Sequence, residues 1–173
     1  MTKEVKAKEK ALDTTTFEKA ISTHKDSIFR ICRIYAVDPL EPKDLFQEVV
    51  LQAWRSHGNF QQKSAVGTWL YRIALNVCIN TKLKLEKRNQ QTIVLESISI
   101  ETGEGDQEND ERFKALQACI EMLDDPDRSL VVLYLEELPY KEIGKVLGLT
   151  ENHVAVKLKR IRKKLFNCIT KAL

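Results

Sequence analysis

No apolar run in this 173-residue chain approaches the roughly 20 residues that cross a bilayer. Its lysine- and glutamate-rich beginning has none of the features of a signal peptide. A cytoplasmic protein is therefore expected. Cysteine and histidine are few and scattered. Neither Cys32, Cys78, Cys119 and Cys168 nor His24, His57 and His153 fall at metal-ligand spacing. Each cysteine lies within an apolar helical pattern, so four buried free thiols in a reducing compartment are expected. A carboxylate cluster and an activated nucleophile are missing too. An enzyme is thus without support, and there is no reason to expect a cofactor or a metal.

What is present is an ordinary globular composition with a lopsided distribution of charge. The net charge is only +3, yet residues 96–111 hold seven acidic side chains (Glu96, Glu101, Glu104, Asp106, Glu108, Asp110, Glu111) and no basic one. Residues 139–173 hold nine basic side chains and two acidic ones. Segregation of this kind suits a basic module that meets nucleic acid, with an exposed acidic connector before it.

Residues 138–165 organise the basic part. Ile143, Leu147 and Leu149 give a first helix its apolar face around Gly148, where the chain must turn sharply. Thr150 stands where a side-chain oxygen caps the next helix. Val154, Leu158, Ile161 and Leu165 recur at helical spacing and fall on one stripe. At about 100° per residue, Asn152, Val156, Lys159 and Lys163 point the other way, flanked by His153, Ala155 and Arg160. A helix apolar on one side and cationic on the other is what a helix-turn-helix lays in the major groove. The plainer alternative is a solvated basic face on a helical hairpin. On the first reading, the short Asn152, Ala155 and Val156 reach base edges, while Lys159, Arg160 and Lys163 hold phosphates.

Upstream, residues 1–13 read as a disordered tail. A helix follows Thr14-Thr15-Thr16, with Phe17, Ala20, Ile21, His24, Ile28, Ile31, Cys32 and Tyr35 on its apolar stripe. A lone histidine on such a stripe is core and not ligand. Pro39 and Pro42 bound a loop and start a second helix over 43–56, where Asp44, Gln47, Glu48 and Leu51 share a face beside Trp54. Such a mixed face fits a protein interface or plain solvation. A loop over 58–67 carries Phe60, and a long helix over 68–87 then has Leu70, Ile73, Val77 and Trp69 on its core side. Arg72, Lys82, Lys84, Lys87 and Arg88 interleave with Phe60, Trp69 and Tyr71. Aromatics among cations can stack on unpaired bases, although in small helical domains they are more often core. Residues 89–111 break the pattern and read as a linker, despite β-prone character at 92–95 and 98–100. From Arg112 onward Phe113, Leu116, Ile120 and Leu123 form another stripe, and Asp125-Pro126 caps and restarts the chain. Leu130, Val131, Leu133, Tyr134 and Leu135 then supply the helix beneath the opening motif. The expected fold is all-α: two small helical domains, 14–88 and 112–173, joined by a flexible acidic linker over 89–111.

At this point the sequence resembles the extracytoplasmic-function (ECF) sigma factors of bacterial RNA polymerase. Asp44-Leu45-Phe46-Gln47-Glu48 looks like the family's polymerase-clamp-binding helix. The run Thr68-Trp69-Leu70-Tyr71-Arg72-Ile73-Ala74-Leu75-Asn76 is similar to its promoter-melting helix. Glu142-Ile143-Gly144 with Leu147-Gly148-Leu149-Thr150 and Val154 resembles its promoter-reading helix-turn-helix. The resemblance implies polymerase binding by Asp44, Gln47 and Glu48. It also implies promoter melting by Phe60, Ser64, Trp69, Tyr71, Arg72 and Asn76, with Phe60 and Asn76 capturing a flipped base over a buried Trp69. The implied partners of this monomer are core RNA polymerase, double-stranded promoter DNA and its melted non-template strand. Nothing is appended after Leu173, so regulation is expected from a separate anti-sigma factor of the membrane-anchored kind. The chain departs from the family at Asn80, Leu83 and Ala155, where an acidic residue, an arginine and a lysine are usual; these positions bear on the DNA contacts. The alternative is a stand-alone helix-turn-helix repressor or activator with an N-terminal dimerisation domain, which would bind a palindrome without polymerase.

Overall fold

A computed structural model describes residues 12–89 and 107–173 as seven α-helices with short connections. They divide into two compact units, with the boundary at Arg88 and Asn89. The β-prone stretches at 92–95 and 98–100 lie outside the described residues. Among the described residues no helix is long and apolar enough to cross a membrane.

The first unit contains α1 (Thr14–Tyr35), α2 (Pro42–Ser56) and α3 (Val66–Asn89), with a 3-10 turn over His57–Asn59. The tail expected through residue 13 stops short of that. Leu12 is buried and its N–H reaches the His57 carbonyl, and the Asp13 carboxylate caps α1 by accepting from the Thr16 N–H at 2.9 Å. The Thr16 hydroxyl donates to the same group at 2.6 Å, and these bonds hold the Asp13 carboxyl below the ordinary range. The predicted stripe of α1 forms the core: Phe17, Ile28, Ile31, Cys32 and Tyr35 are buried, and Ala20, Ile21 and His24 are half-buried. Leu45, Val49 and Ala53 of α2 meet them. The core side of α3 differs from expectation. It is built from Leu70, Tyr71, Ala74, Leu75 and Cys78, while Ile73, Val77 and Trp69 are half-buried at its margins. Cys32 and Cys78 face each other with sulfurs 3.9 Å apart and remain free thiols, as expected. Their mutual contact and their burial push the Cys78 thiol up, so it stays protonated and inert.

The second unit contains α4 (Gln107–Glu121), α5 (Asp125–Leu135), α6 (Tyr140–Leu147) and α7 (Glu151–Ala172). Helix α4 begins at Gln107, so the expected linker gives up its last residues to it. Its inward stripe has Cys119 and Ile120 buried and Leu116 half-buried, with Leu123 half-buried just past its end, and Phe113, roughly 70° off the centre of that stripe, is exposed. The cap of α5 is Asp124, one residue earlier than expected, accepting from the Asp127 N–H at 2.9 Å. Seven consecutive residues, Asp127, Arg128, Ser129, Leu130, Val131, Val132 and Leu133, are then buried, because α4, α6 and α7 all pack on α5. The buried Arg128 guanidinium turns this into an asset. It donates to the Ile120 carbonyl at 3.3 Å, the Leu123 carbonyl at 2.9 Å and the Glu121 carbonyl, supplying a cation at the C-terminal end of α4 where carbonyls lack helical partners. Helices α6 and α7 form the predicted helix-turn-helix. Gly148 has φ +69°, which favours glycine, and a Cβ on Gly144 would stand 2.5 Å from the Leu149 carbonyl oxygen. Val154, Leu158 and Ile161 are fully buried and Leu165 half-buried.

One sequence expectation is overturned. Cys119 and Cys168 are not free thiols; they form a disulfide, with Cα atoms 6.0 Å apart, that ties α4 to the end of α7. Helical folding brings together two positions 49 residues apart, which no local pattern could pair. Reducing this bond should destabilise the second unit by about 4 kcal/mol, the chain-entropy value for a loop of that length. Urea denaturation with and without dithiothreitol measures the difference, and Cys119→Ser with Cys168→Ser should abolish it. Superimposable curves for oxidised and reduced protein would show that the link adds nothing.

Candidate nucleic-acid interface

The surface of α7 divides by the periodicity of the helix. With Val154, Leu158 and Ile161 in the core, the face opposite carries Asn152, His153, Val156, Lys159, Arg160 and Lys163, all exposed. Ala155 is half-buried at its edge. The Thr150 hydroxyl accepts from the His153 N–H at 3.2 Å, so the first turn that presents these short side chains is capped as predicted. The other cations of the helix before Leu165 are held by α5. Lys157 and Lys164 lie 3.6 and 3.0 Å from the two oxygens of the buried Asp127 carboxylate. Arg162 hydrogen-bonds the Tyr134 hydroxyl and stacks over its ring at 4.7 Å. Three of the six basic residues between 151 and 165 are thus tethered, and three project from one face. Sequence periodicity found the projecting set. Asp127 and Tyr134 gave no signal, since their partners are distant in sequence.

In the first unit, α3 sorts its expected melting residues onto two sides. Trp69, Arg72 and Asn76 recur at helical spacing, continued by Asn80 and Leu83. Trp69 is half-buried and the other four are exposed. Ser64 is half-buried in the loop before the helix. Phe60 and Tyr71 do not join this face. Phe60 is 5% exposed and its ring centroid lies 5.0 Å from that of Trp69. Tyr71 is 6% exposed, and its hydroxyl hydrogen-bonds His24 Nδ1 at 2.9 Å. The burial of the two rings is thus the reverse of that expected: Phe60 is buried, and Trp69 has the more accessible ring. The loop folds Phe60 back against α3, a long-range packing choice that aromatic identity alone does not reveal.

On α2, Asp44, Gln47, Glu48 and Leu51 are all exposed, as the shared face required. Beside them Phe17, Phe46, Gln47, Val50, Leu51 and Trp54 line an open apolar groove of about 490 Å³. Trp54 is held there edge-on to Phe17 at 5.4 Å and stacked on His57 at 4.5 Å, yet it remains 43% exposed. A polar rim beside an accessible indole and leucine has the composition of a protein contact. Among the described residues there is no group of metal-binding side chains.

Comparison with known proteins matches each unit to a defined region. The sigma-70 region 2 family covers residues 20–88, and the sigma-70 region 4 family covers residues 113–165. The ECF RNA polymerase sigma factor SigW of Bacillus subtilis is 29% identical over 165 residues, 88% of each chain. The RNA polymerase sigma-H factor of Pseudomonas aeruginosa is 26% identical over 163 residues, 87% of this chain and 84% of its own. The solved sigma factor RpoE of Bartonella quintana, in complex with the anti-sigma factor NepR, has the same fold. Its TM-score is 0.72 at 18% identity, over 89% of this chain and 96% of that one. Two regions in the right order on one chain set aside the stand-alone regulator, and sigma factors are regulatory proteins that recognise DNA. The chain belongs to the sigma-70 family as an RNA polymerase sigma factor of the ECF type, directing core polymerase to the −35 and −10 elements of its promoters and opening the DNA there.

Proposed function

We propose that the three sequence-selected faces divide this work: α7 reads the −35 element, α3 captures the opened −10 strand, and α2 holds the polymerase. The observation that carries the proposal is the split of α7. Asn152, His153, Ala155 and Val156 lie at the capped end that enters a groove, and Lys159, Arg160 and Lys163 lie further along the same face. The corresponding domains are 14–88, with Leu12 and Asp13 packed at its start, joined through the linker to 112–173, whose first helix begins at Gln107. The chain acts as a monomer in the cytoplasm, where the polymerase is, and catalyses no reaction itself. As RpoE is found with NepR, this chain is held inactive by a separate anti-sigma factor of the membrane-anchored kind.

On α3 a base leaving the non-template strand meets Trp69 with Asn76 and Arg72 on the same face, Ser64 at the loop, and Phe60 beneath the indole. Removing a base from the stack costs a few kcal/mol. An aromatic platform returns roughly 1–3 kcal/mol, and an amide hydrogen bond about 1 kcal/mol more. The balance is close, as suits a step that must reverse.

The division on α7 is tested by paired substitutions. Lys163→Ala should weaken binding to all promoters alike and reduce the salt slope by about 1. Asn152→Ala should change which promoters are preferred while leaving the salt slope alone. Identical behaviour of the two variants in promoter-binding titrations would remove the division of labour.

For α2, Gln47→Ala with Glu48→Ala should leave helical content and melting nearly unchanged, since exposed substitutions cost under about 0.5 kcal/mol each. Capture of core polymerase should fall clearly. Capture at the wild-type level would take these residues out of the interface.

For α3, Trp69→Ala and Asn76→Ala should form closed promoter complexes and fail to open them, and a pre-melted bubble should restore part of the Trp69 defect. Permanganate footprinting on duplex and bubble templates reads this directly. Full duplex opening by both variants would refute the capture site.

A further inference from the structure

The back of the melting helix is gripped by one side chain of another helix. Viewed down α3, Gly67 and Tyr71 stand one turn apart on the side about 180° from Trp69 and Asn76. Both contacts go to His24 of α1. The imidazole lies over Gly67 so closely that a Cβ there would stand 2.7 Å from Cε1 and 2.9 Å from Nε2, and no side chain fits beneath the ring as it sits. The same ring joins the buried Tyr71 hydroxyl through Nδ1 at 2.9 Å and meets the phenol edge-on, with centroids 5.4 Å apart. Further along, Cys32 of α1 meets Cys78 of α3, in the same order along both helices. The His24 and Cys32 contacts of α1 with α3 are separated by about two turns. The His24 contact bears on the first turn, the one that receives the loop from Phe60 and displays Trp69.

We infer that His24 is a positioning residue for strand opening: by seating on Gly67 and bonding Tyr71, it fixes the first turn of α3 and so the placement of Trp69 and the loop before it. The inference rests on the proposal that Trp69 and Asn76 capture the opened strand. The geometry gives the imidazole two tasks that no aliphatic side chain performs together. It supplies a flat ring over a glycine, and a nitrogen partner for a phenol that would otherwise be buried without one. Burial lowers the histidine pKa below its ordinary value, so the ring stays neutral at neutral pH and brings no charge to the N-terminal end of α3. Capture of a flipped base tolerates little displacement, since misplacing a group by about 1 Å can cost on the order of a hundredfold. A loosened first turn should therefore impair opening before it impairs anything else.

The test uses the full chain with core polymerase on duplex promoter. His24→Ala should form closed complexes at wild-type concentration, melt within a few degrees of wild type, and lose about tenfold in permanganate-reactive open complex. On a pre-melted bubble its activity should return. His24→Asn sets an amide near the position of Nδ1 and keeps a partner for Tyr71, so it should recover most of the opening. Gly67→Ala should impair opening in the wild-type background by displacing the ring, and should have no further effect in the His24→Ala background, where the obstruction is gone. Wild-type opening by His24→Ala, or equal loss in the alanine and asparagine variants, overturns the inference. So does additive loss in the double variant. Trp69→Ala, run alongside, separates the two levels. If Trp69→Ala opens the duplex normally, the capture site itself is wrong. If it fails while His24→Ala succeeds, only the positioning role is wrong.

Discussion

A single buried carboxylate decides how the most cationic helix of this protein presents itself. Asp127 sits in the run of α5 that is covered on all sides, and burying a charge there is costly unless it is matched. Two lysines of α7 match it, and Tyr134 of the same helix holds an arginine. The buried stripe of Val154, Leu158 and Ile161 sets the rotation of α7, these partners reinforce it from the flank, and Lys159, Arg160 and Lys163 are left on the side opposite the core. The lysines keep much of their surface in water, so each pair alone stabilises little. Their consequence is rotational. A helix with all its cations free would be attracted to DNA in any orientation, whereas tethering three of them favours a single face.

The second unit needs such definition because its core is small. Four helices supply it, and three devices beyond apolar packing hold them in place. Arg128 closes the end of α4, Gly144 lets the turn approach α6, and the Cys119–Cys168 bond fastens α4 to the end of α7. A guanidinium taken out of water is stabilised by three carbonyls at the end of α4, so its burial is compensated by charge-assisted hydrogen bonds. In the first unit the corresponding pair, Cys32 and Cys78, stays reduced within a fully apolar setting. There, packing between three longer helices suffices.

What was legible in the sequence was what repeats locally. The stripe of α1, the exposed face of α2 and both faces of α7 follow from spacing within one helix, and the structure returns them nearly residue for residue. The glycine turn at Gly148 and the cap at Thr150 are likewise local. What was not legible depends on residues far apart in sequence. Phe60 and Tyr71 are aromatic residues among cations, a pattern that fits either stacking on bases or the core, and only the folding of the loop onto α3 and the position of His24 decide between them. The disulfide, the role of Asp127 and the burial of Leu12 are of the same kind. Helix ends shifted by small amounts for a related reason: capping is decided by which carboxylate reaches a free N–H, and Asp124 reached it before Asp125.

The division into two units has an energetic logic of its own. The reading face of α7 is short, with a few side chains near the cap and three cations beyond, and by itself such a face supports only modest affinity. On the proposed division of work, the α3 face acts only once a strand is free, and the energy it returns roughly equals the cost of freeing one. Neither face is suited to hold a promoter alone. Joined in one chain and brought to DNA, on the same proposal, by a third face on α2, each meets its target at the effective concentration set by the connector and not by free diffusion. Weak contacts then suffice at every point, and release requires only that one of them be withdrawn.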